Sequence, residues 1–229
     1  GVAAVLLGIV AALTVSERRV INEYNRELSA RSYPFYCLKS PFKGYSLLKE
    51  TKQGSGICAV VILCVFTAVG IISTQLTAFH YNPDSGRQFN IFAVLAETLG
   101  IFLLFVICNW AVSTLADGKG KFGEIIIFTS YALIPLIITE VMLLVSSNVF
   151  SLKERAFYGI IRSVGLIWTA VHIFVSNKEV HEYSGGKALL VLFGSVFGMY
   201  LLILIITVAY SMFAQLLSFI SMVISEIRA

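Results

Sequence analysis

Charge is scarce in this chain. Only 13% of its 229 residues are charged, whereas a soluble domain carries about one-quarter. That shortage argues against an ordinary water-facing globular domain. Cysteine is sparse too: Cys58, Cys64 and Cys108 fall in apolar runs, Cys37 lies in a basic stretch, and no Cys-x-x-Cys occurs. Neither a disulfide framework nor a zinc site is implied. The histidines, His80, His172 and His181, share no metal-ligand spacing with one another or with the carboxylates, and no serine has a plausible base and oxyanion setting. No cofactor, no metal and no catalytic residue is therefore expected. The net charge of +4 is modest and sits in short segments between apolar runs, so no nucleic-acid surface is implied.

What the chain does have is apolar length. Of its residues 58% are apolar, and the mean hydropathy is +0.86. Runs of about 20 apolar residues signal membrane spans. Five occur, at about 57–79, 89–115, 122–147, 154–176 and 187–210. The fold class expected is all-α, a polytopic transmembrane helix bundle of five full spans preceded by a truncated one. That partial span is "GVAAVLLGIVAALTV", which rises only about 22 Å as a helix against a hydrocarbon core of about 30 Å. It lacks the basic leader and cleavage site of a signal peptide, and is expected to continue as a polar cytoplasmic helix, making residues 1–32 one unit.

Residues 33–56 interleave aromatics and lysines. Ser40 can cap a helix with Pro41 at its first position. Phe42, Tyr45 and Leu48 then share a face, with Lys43 and Lys49 off it. An amphipathic segment in the lipid headgroup region is expected, with Phe42 and Tyr45 inward; the alternative is a helix packed on the spans. Residues 57–229 form the five-span unit. The last apolar run continues to 225, with Ser211, Gln215, Ser218 and Ser225 as a polar stripe suited to an interfacial helix or a docking surface.

Orientation follows from Lys and Arg in the flanks. Eight lie between 16 and 56, and Lys119, Lys121, Lys178 and Lys187 join them on the same side. The opposite side has Arg87, Lys153, Arg155 and Arg228. The first set is therefore expected in the cytoplasm and the C-terminus on the far side. The stretch Gly118, Lys119, Gly120 and Lys121 resembles a phosphate loop only superficially. A Walker-type loop needs Ser or Thr after its lysine, and Phe122 stands there. A cytoplasmic turn between antiparallel helices is expected.

"NWAVSTLADGKGKFGEIIIFTSYALIPLI", with "SPFKGYSLLKE" upstream and five spans in all, resembles the Yip domain family, most closely its bacterial branch. The residues that carry this are Pro41, Phe42, Gly44 and Tyr45, Asn109 and Trp110, Gly118 to Gly120, and Tyr131, Ala132 and Pro135. The Asp-Leu-Tyr-Gly-Pro element of eukaryotic trafficking members is absent. The resemblance implies a non-enzymatic membrane protein that works through partners: membrane lipids, other integral membrane proteins such as transporter subunits or itself, and in trafficking members a small GTPase. It implies the plasma (inner) membrane for a bacterial protein and Golgi or ER otherwise.

Three ionisable residues lie within spans. Helical rise places Glu97, Glu140 and Arg162 about 10–12 Å deep, at one level in the outer half. An ion pair joining Arg162 to Glu97 or Glu140 is expected, either structural or part of a cation- or proton-coupled site. Pro135 should bend span three. Gly194 and Gly198 form Gly-x-x-x-Gly, where another helix can approach closely. The leading functional expectation is a scaffold or accessory subunit of a membrane complex, for instance a bacterial transport complex. The alternatives are a small ion- or proton-coupled transporter and a vesicle-trafficking factor that binds a small GTPase.

Overall fold

The computed structural model describes residues 31–82 and 89–228. The partial span and polar helix expected over 1–32 lie almost wholly outside the described residues, which begin at Arg31. Those residues are helical, with no strand among them. Two short helices, α1 (Tyr33–Lys39) and α2 (Pro41–Thr51), form a hairpin. Span one is α3 (Gly56–Leu76). Span two is α4 (Ile91–Leu95), a π turn (Ala96–Gly100) and α5 (Ile101–Leu115). Span three is α6 (Phe122–Ala132) and α7 (Ile134–Val149), and span four is a 3-10 turn (Leu152–Glu154) followed by α8 (Arg155–His181). Span five is α9 (Gly185–Arg228). Five helical stretches are thus long and apolar enough to cross a membrane, and the chain is an integral multi-pass membrane protein.

Local chemistry sets the ends of these helices. Ser55 Oγ accepts the Cys58 N–H at 3.3 Å, and Asn90 Oδ1 accepts the N–H groups of Phe92 and Ala93, so each start has a side-chain cap. At span four Glu154 reaches back to the Ser151 N–H at 2.9 Å. Lys52 and Glu182 close α2 and α8 in the left-handed conformation. Span three breaks at Leu133 because Pro135 has no N–H to give the preceding turn.

Span three is the centre of the bundle. It packs against α3 on one side and α8 on the other, while span two lies between α3 and α9. Small residues fix the closest approaches. A Cβ on Gly165 would land inside the Thr139 side chain, so spans three and four meet almost backbone to side-chain stem. Gly70 meets Thr98 in the same way between spans one and two. At the end away from the hairpin, Asn148 Nδ2 donates to the Leu76 carbonyl at 3.0 Å and Tyr81 stacks on Tyr158 at 4.5 Å.

The α9 helix behaves differently along its length. Its first three turns are packed, with Ala188, Val191 and Ser195 buried. Every side chain from Tyr200 to Val223 is exposed. Its 44 residues rise about 66 Å, more than the roughly 40–45 Å of a whole bilayer.

Candidate functional site: a hairpin over a buried polar cluster

The hairpin forms because Ser40 leaves helical geometry (φ −140°, ψ 80°) and Pro41 restarts it. Its two arms touch at Gly44. A Cβ there would sit 2.6 Å from the Cys37 Cα, so only glycine allows this crossing. Tyr33 Oη and Thr51 Oγ1, at the open end, lie 3.0 Å apart. The inner face of the hairpin (Tyr33, Cys37, Gly44, Tyr45, Leu47 and Leu48) is buried against spans three and four. Burial pushes the Cys37 thiol up to about 12 and raises the Tyr45 hydroxyl well above its usual range, helped by the neighbouring Cys37.

Phe42 does not share the fate of Tyr45. Tyr45 is fully buried and Phe42 is 59% exposed, which corrects the expectation that both face inward. The buried arc is centred between Gly44 and Leu48, and at 100° per residue Phe42 falls about 140° away from that centre. Phe35, Lys39, Phe42 and Lys43 are all exposed, on the outside of the hairpin, and Pro41 is half-buried. Tyr45 Oη lies 3.4 Å from His172 Nδ1, deep in α8, with Phe128 tilted against the tyrosine ring at 5.9 Å. His172 is buried, and its Nε2 has no partner among the described residues. Lys49 donates to Glu124 at 2.7 Å, tying α2 to the start of α6. Tyr131 Oη accepts the Ser55 N–H at 3.1 Å and so pins the link into span one.

A second feature lies at the same end of the bundle. Asn109 of span two donates through Nδ2 to Asn177 Oδ1 at 2.8 Å and to Ser195 Oγ at 3.2 Å. Its Oδ1 faces His181 Nε2 at 3.2 Å. His181 Nδ1 in turn accepts the Gly120 N–H at 3.3 Å, which assigns the ring proton to Nε2 and makes it the donor to Asn109. Asn177 also donates to the Ala188 carbonyl, and Tyr183 Oη to that of Ser113. Asn109, Asn177, His181 and Ser195 are all buried. Spans two, four and five and the loop before span three are thus locked together by satisfied polar groups, not by apolar packing alone.

This explains the loop. The cytoplasmic-type turn expected at Gly118, Lys119, Gly120 and Lys121 is a turn, but a docked one. A Cβ on Gly118 would collide with the Tyr183 hydroxyl and the His181 ring, and one on Gly120 would lie 2.9 Å from that ring. Lys119 points outward and pairs with Glu182 at 2.7 Å, holding that carboxyl below its usual range. Sequence reasoning missed the cluster, since Asn109, Asn177 and His181 are scattered single residues. The available signal was three amide or imidazole groups near the same ends of apolar runs.

The remaining expected sites separate. Gly194 and Gly198 face span two of the same chain: added Cβ atoms would meet Val112 at 3.0 Å and Cys108 at 3.7 Å. Glu97 lies in the π turn that packs on α3, whereas Glu140 and Arg162 sit on the adjoining spans three and four. Arg162 acts electrostatically on Glu140, but no described carboxylate lies within 4.0 Å of it, so the expected ion pair is not formed. Both Arg162 and Glu97 are exposed on the bundle surface. Among the described residues no group of His, Cys, Asp and Glu could hold a metal ion.

No curated protein and no solved structure matches the chain. The Yip1 domain matches it over residues 35–208, from the first turn of the hairpin to well into α9. That stretch holds the Gly44 crossing and the Tyr131 pin. It also holds the Asn109–His181 cluster, and so most of what fixes the fold. The chain is a member of the Yip1 domain family.

Proposed function

We propose that the protein is a non-enzymatic scaffold or accessory subunit that assembles with another integral membrane protein through the distal part of α9. The observation that carries this reading is the uncovered helix itself. Phe213 (59% exposed), Leu216 (55%) and Ile220 (44%) belong to a stretch where every described side chain is open. A helix of about 66 Å cannot keep all of that surface in a bilayer of about 40–45 Å while it stays straight. Contiguous apolar surface of this kind marks an interaction site. Two charges add support. Glu97 and Arg162 are exposed within spans, where contact with lipid is costly and a polar partner helix would offset it. The transporter alternative draws on the same three intramembrane charges, among which no ion pair within 4.0 Å is formed. Binding of a small GTPase, to which the wider family is linked, is the remaining alternative.

In this reading the hairpin end is cytoplasmic, because it carries the larger share of Lys and Arg. A photo-crosslinking amino acid at Phe213 or Leu216, in the full chain in its native membrane, tests the proposal. A discrete protein adduct at either position, absent when the crosslinker replaces Phe157 on span four, is expected. Adducts to lipid alone at both positions would end it.

A further inference from the structure

We propose that the protein self-associates through the halves of spans two and four that lie away from the hairpin, Glu97 of one copy pairing with Arg162 of another. This names the helix that covers the two exposed charges, and it stands whether or not α9 binds a further protein. Both side chains are exposed, and among the described residues neither has an ion pair within 4.0 Å. Glu140, half-buried on span three, feels the Arg162 charge from beyond that distance and leaves Glu97 without a countercharge. Ionised groups inside a span are costly against lipid and usually face protein and pair. An exposed anion and an exposed cation on one chain form a surface that a second copy complements, and a two-fold dimer makes the contact twice.

The packing of the spans puts the two charges at one level. Spans one and three end together, where Asn148 Nδ2 donates to the Leu76 carbonyl at 3.0 Å. Gly70 of span one meets Thr98, which places Glu97 about 8 Å below that end at 1.5 Å per residue. Gly165 of span four meets Thr139 of span three, which places Arg162 about 9 Å below the same end. Spans two and four also run in the same direction, so the two groups face each other when the helices of two copies lie side by side. The carboxylate sits in the π turn (Ala96–Gly100), a feature frequent at functional sites.

The room for such an approach is present beside each charge. Inside the spans, Gly70, Gly165, Gly194 and Gly198 each have a neighbouring helix of the same chain against them. Gly100, one turn from Glu97, would meet only Ala96 of its own span at 3.9 Å. Gly159, one turn from Arg162, has nothing within 4 Å. Small residues let membrane helices come close, and these two glycines are open where the unmatched charges are.

An exchange of charges between copies tests this. Two forms of the full chain, each with its own affinity tag, are co-expressed and extracted in mild detergent, and one is captured while the other is counted. The unsubstituted forms should co-purify. Glu97→Arg in both forms, or Arg162→Glu in both, sets like charges together, and recovery should fall by more than about tenfold. Glu97→Arg in one form with Arg162→Glu in the other should restore recovery, because both contacts then join opposite charges. If the reversed variants do not fold, Glu97→Gln and Arg162→Gln replace them: each should lower recovery, and the two together in one chain should do no worse than either. The proposal is overturned if the unsubstituted forms do not co-purify, or if recovery ignores the substitutions. A loss that the mixed pair does not repair would also overturn it, since lipid or another protein would then cover the charges. Crosslinking at Phe213 is read separately, so failure of the α9 contact leaves this result unchanged.

Discussion

Asn109 in span two and His181 at the end of span four are joined by a 3.2 Å hydrogen bond, although 72 residues separate them. The same imidazole accepts the Gly120 N–H, so one side chain ties two spans to a loop. Asn109→Ala would leave the His181 Nε2–H and Asn177 Oδ1 buried without that partner. A loss of about 1–3 kcal/mol is expected for such stranded groups. Thermal unfolding in detergent should show a lower midpoint, and hydrogen exchange at Gly120 should quicken. An unchanged midpoint with unchanged exchange would remove the cluster from the stability of the fold.

The helix crossings predict a graded series. Gly165→Ala drives a methyl into Thr139 and should cost about 1–3 kcal/mol, as overpacked cores do. Gly194→Ala, with Val112 at 3.0 Å, should be milder, and Gly198→Ala, with Cys108 at 3.7 Å, close to neutral. Thr139→Gly should rescue Gly165→Ala. The order of unfolding midpoints checks all four variants, and an inverted order contradicts the packing described.

Cys37 should be chemically silent. Its thiol is pushed up to about 12 by burial, and the thiolate is the reacting species. Maleimide at pH 8 should leave it unlabelled in the folded protein and label it after denaturation. The linkage has a definite sign. The folded pKa lies above the ordinary value of 9.0, so this contribution to stability is full below pH 9 and is lost as pH rises toward 12. Cys37→Ala should flatten part of the alkaline decline in melting temperature, with Tyr45 responsible for another part. Rapid labelling at pH 8 in the folded state would refute the burial.

Arg162 and Glu140 interact through space without an ion pair within 4.0 Å. A double-mutant cycle with Arg162→Leu and Glu140→Gln should therefore give a coupling below about 1 kcal/mol, not the 3–5 kcal/mol of a broken buried pair. Larger coupling, read from the four unfolding midpoints, would mean that the two close up in the membrane.

Sidedness can be read with two exposed lysines at opposite ends of the bundle. Lys119→Cys and Lys153→Cys, labelled in intact cells and in inverted vesicles, should react from opposite sides, Lys119→Cys from the cytoplasm. Gly118 is unsuitable for this purpose, since its Cβ would strike Tyr183 and His181.

The sequence by itself determined the number of long helices, the membrane setting and the turn at Gly118–Lys121. Hydrophobic run length and glycine placement are local properties that no packing arrangement alters. The break at Pro135 was legible for the same reason, because a missing N–H acts within one turn. Tertiary structure alone decided what those helices do with their faces. Gly194 and Gly198 could have met any helix, and the α5–α9 packing turned them to Cys108 and Val112. Phe42 and Tyr45 differ only by their angle to a buried arc that spans three and four define. Arg162 could have found a carboxylate at its own depth, but depth along a helix says nothing about rotation around it. Asn109, Asn177, His181 and Ser195 form one cluster because helix packing closes distances of up to 86 residues along the chain, and no local pattern encodes that closure.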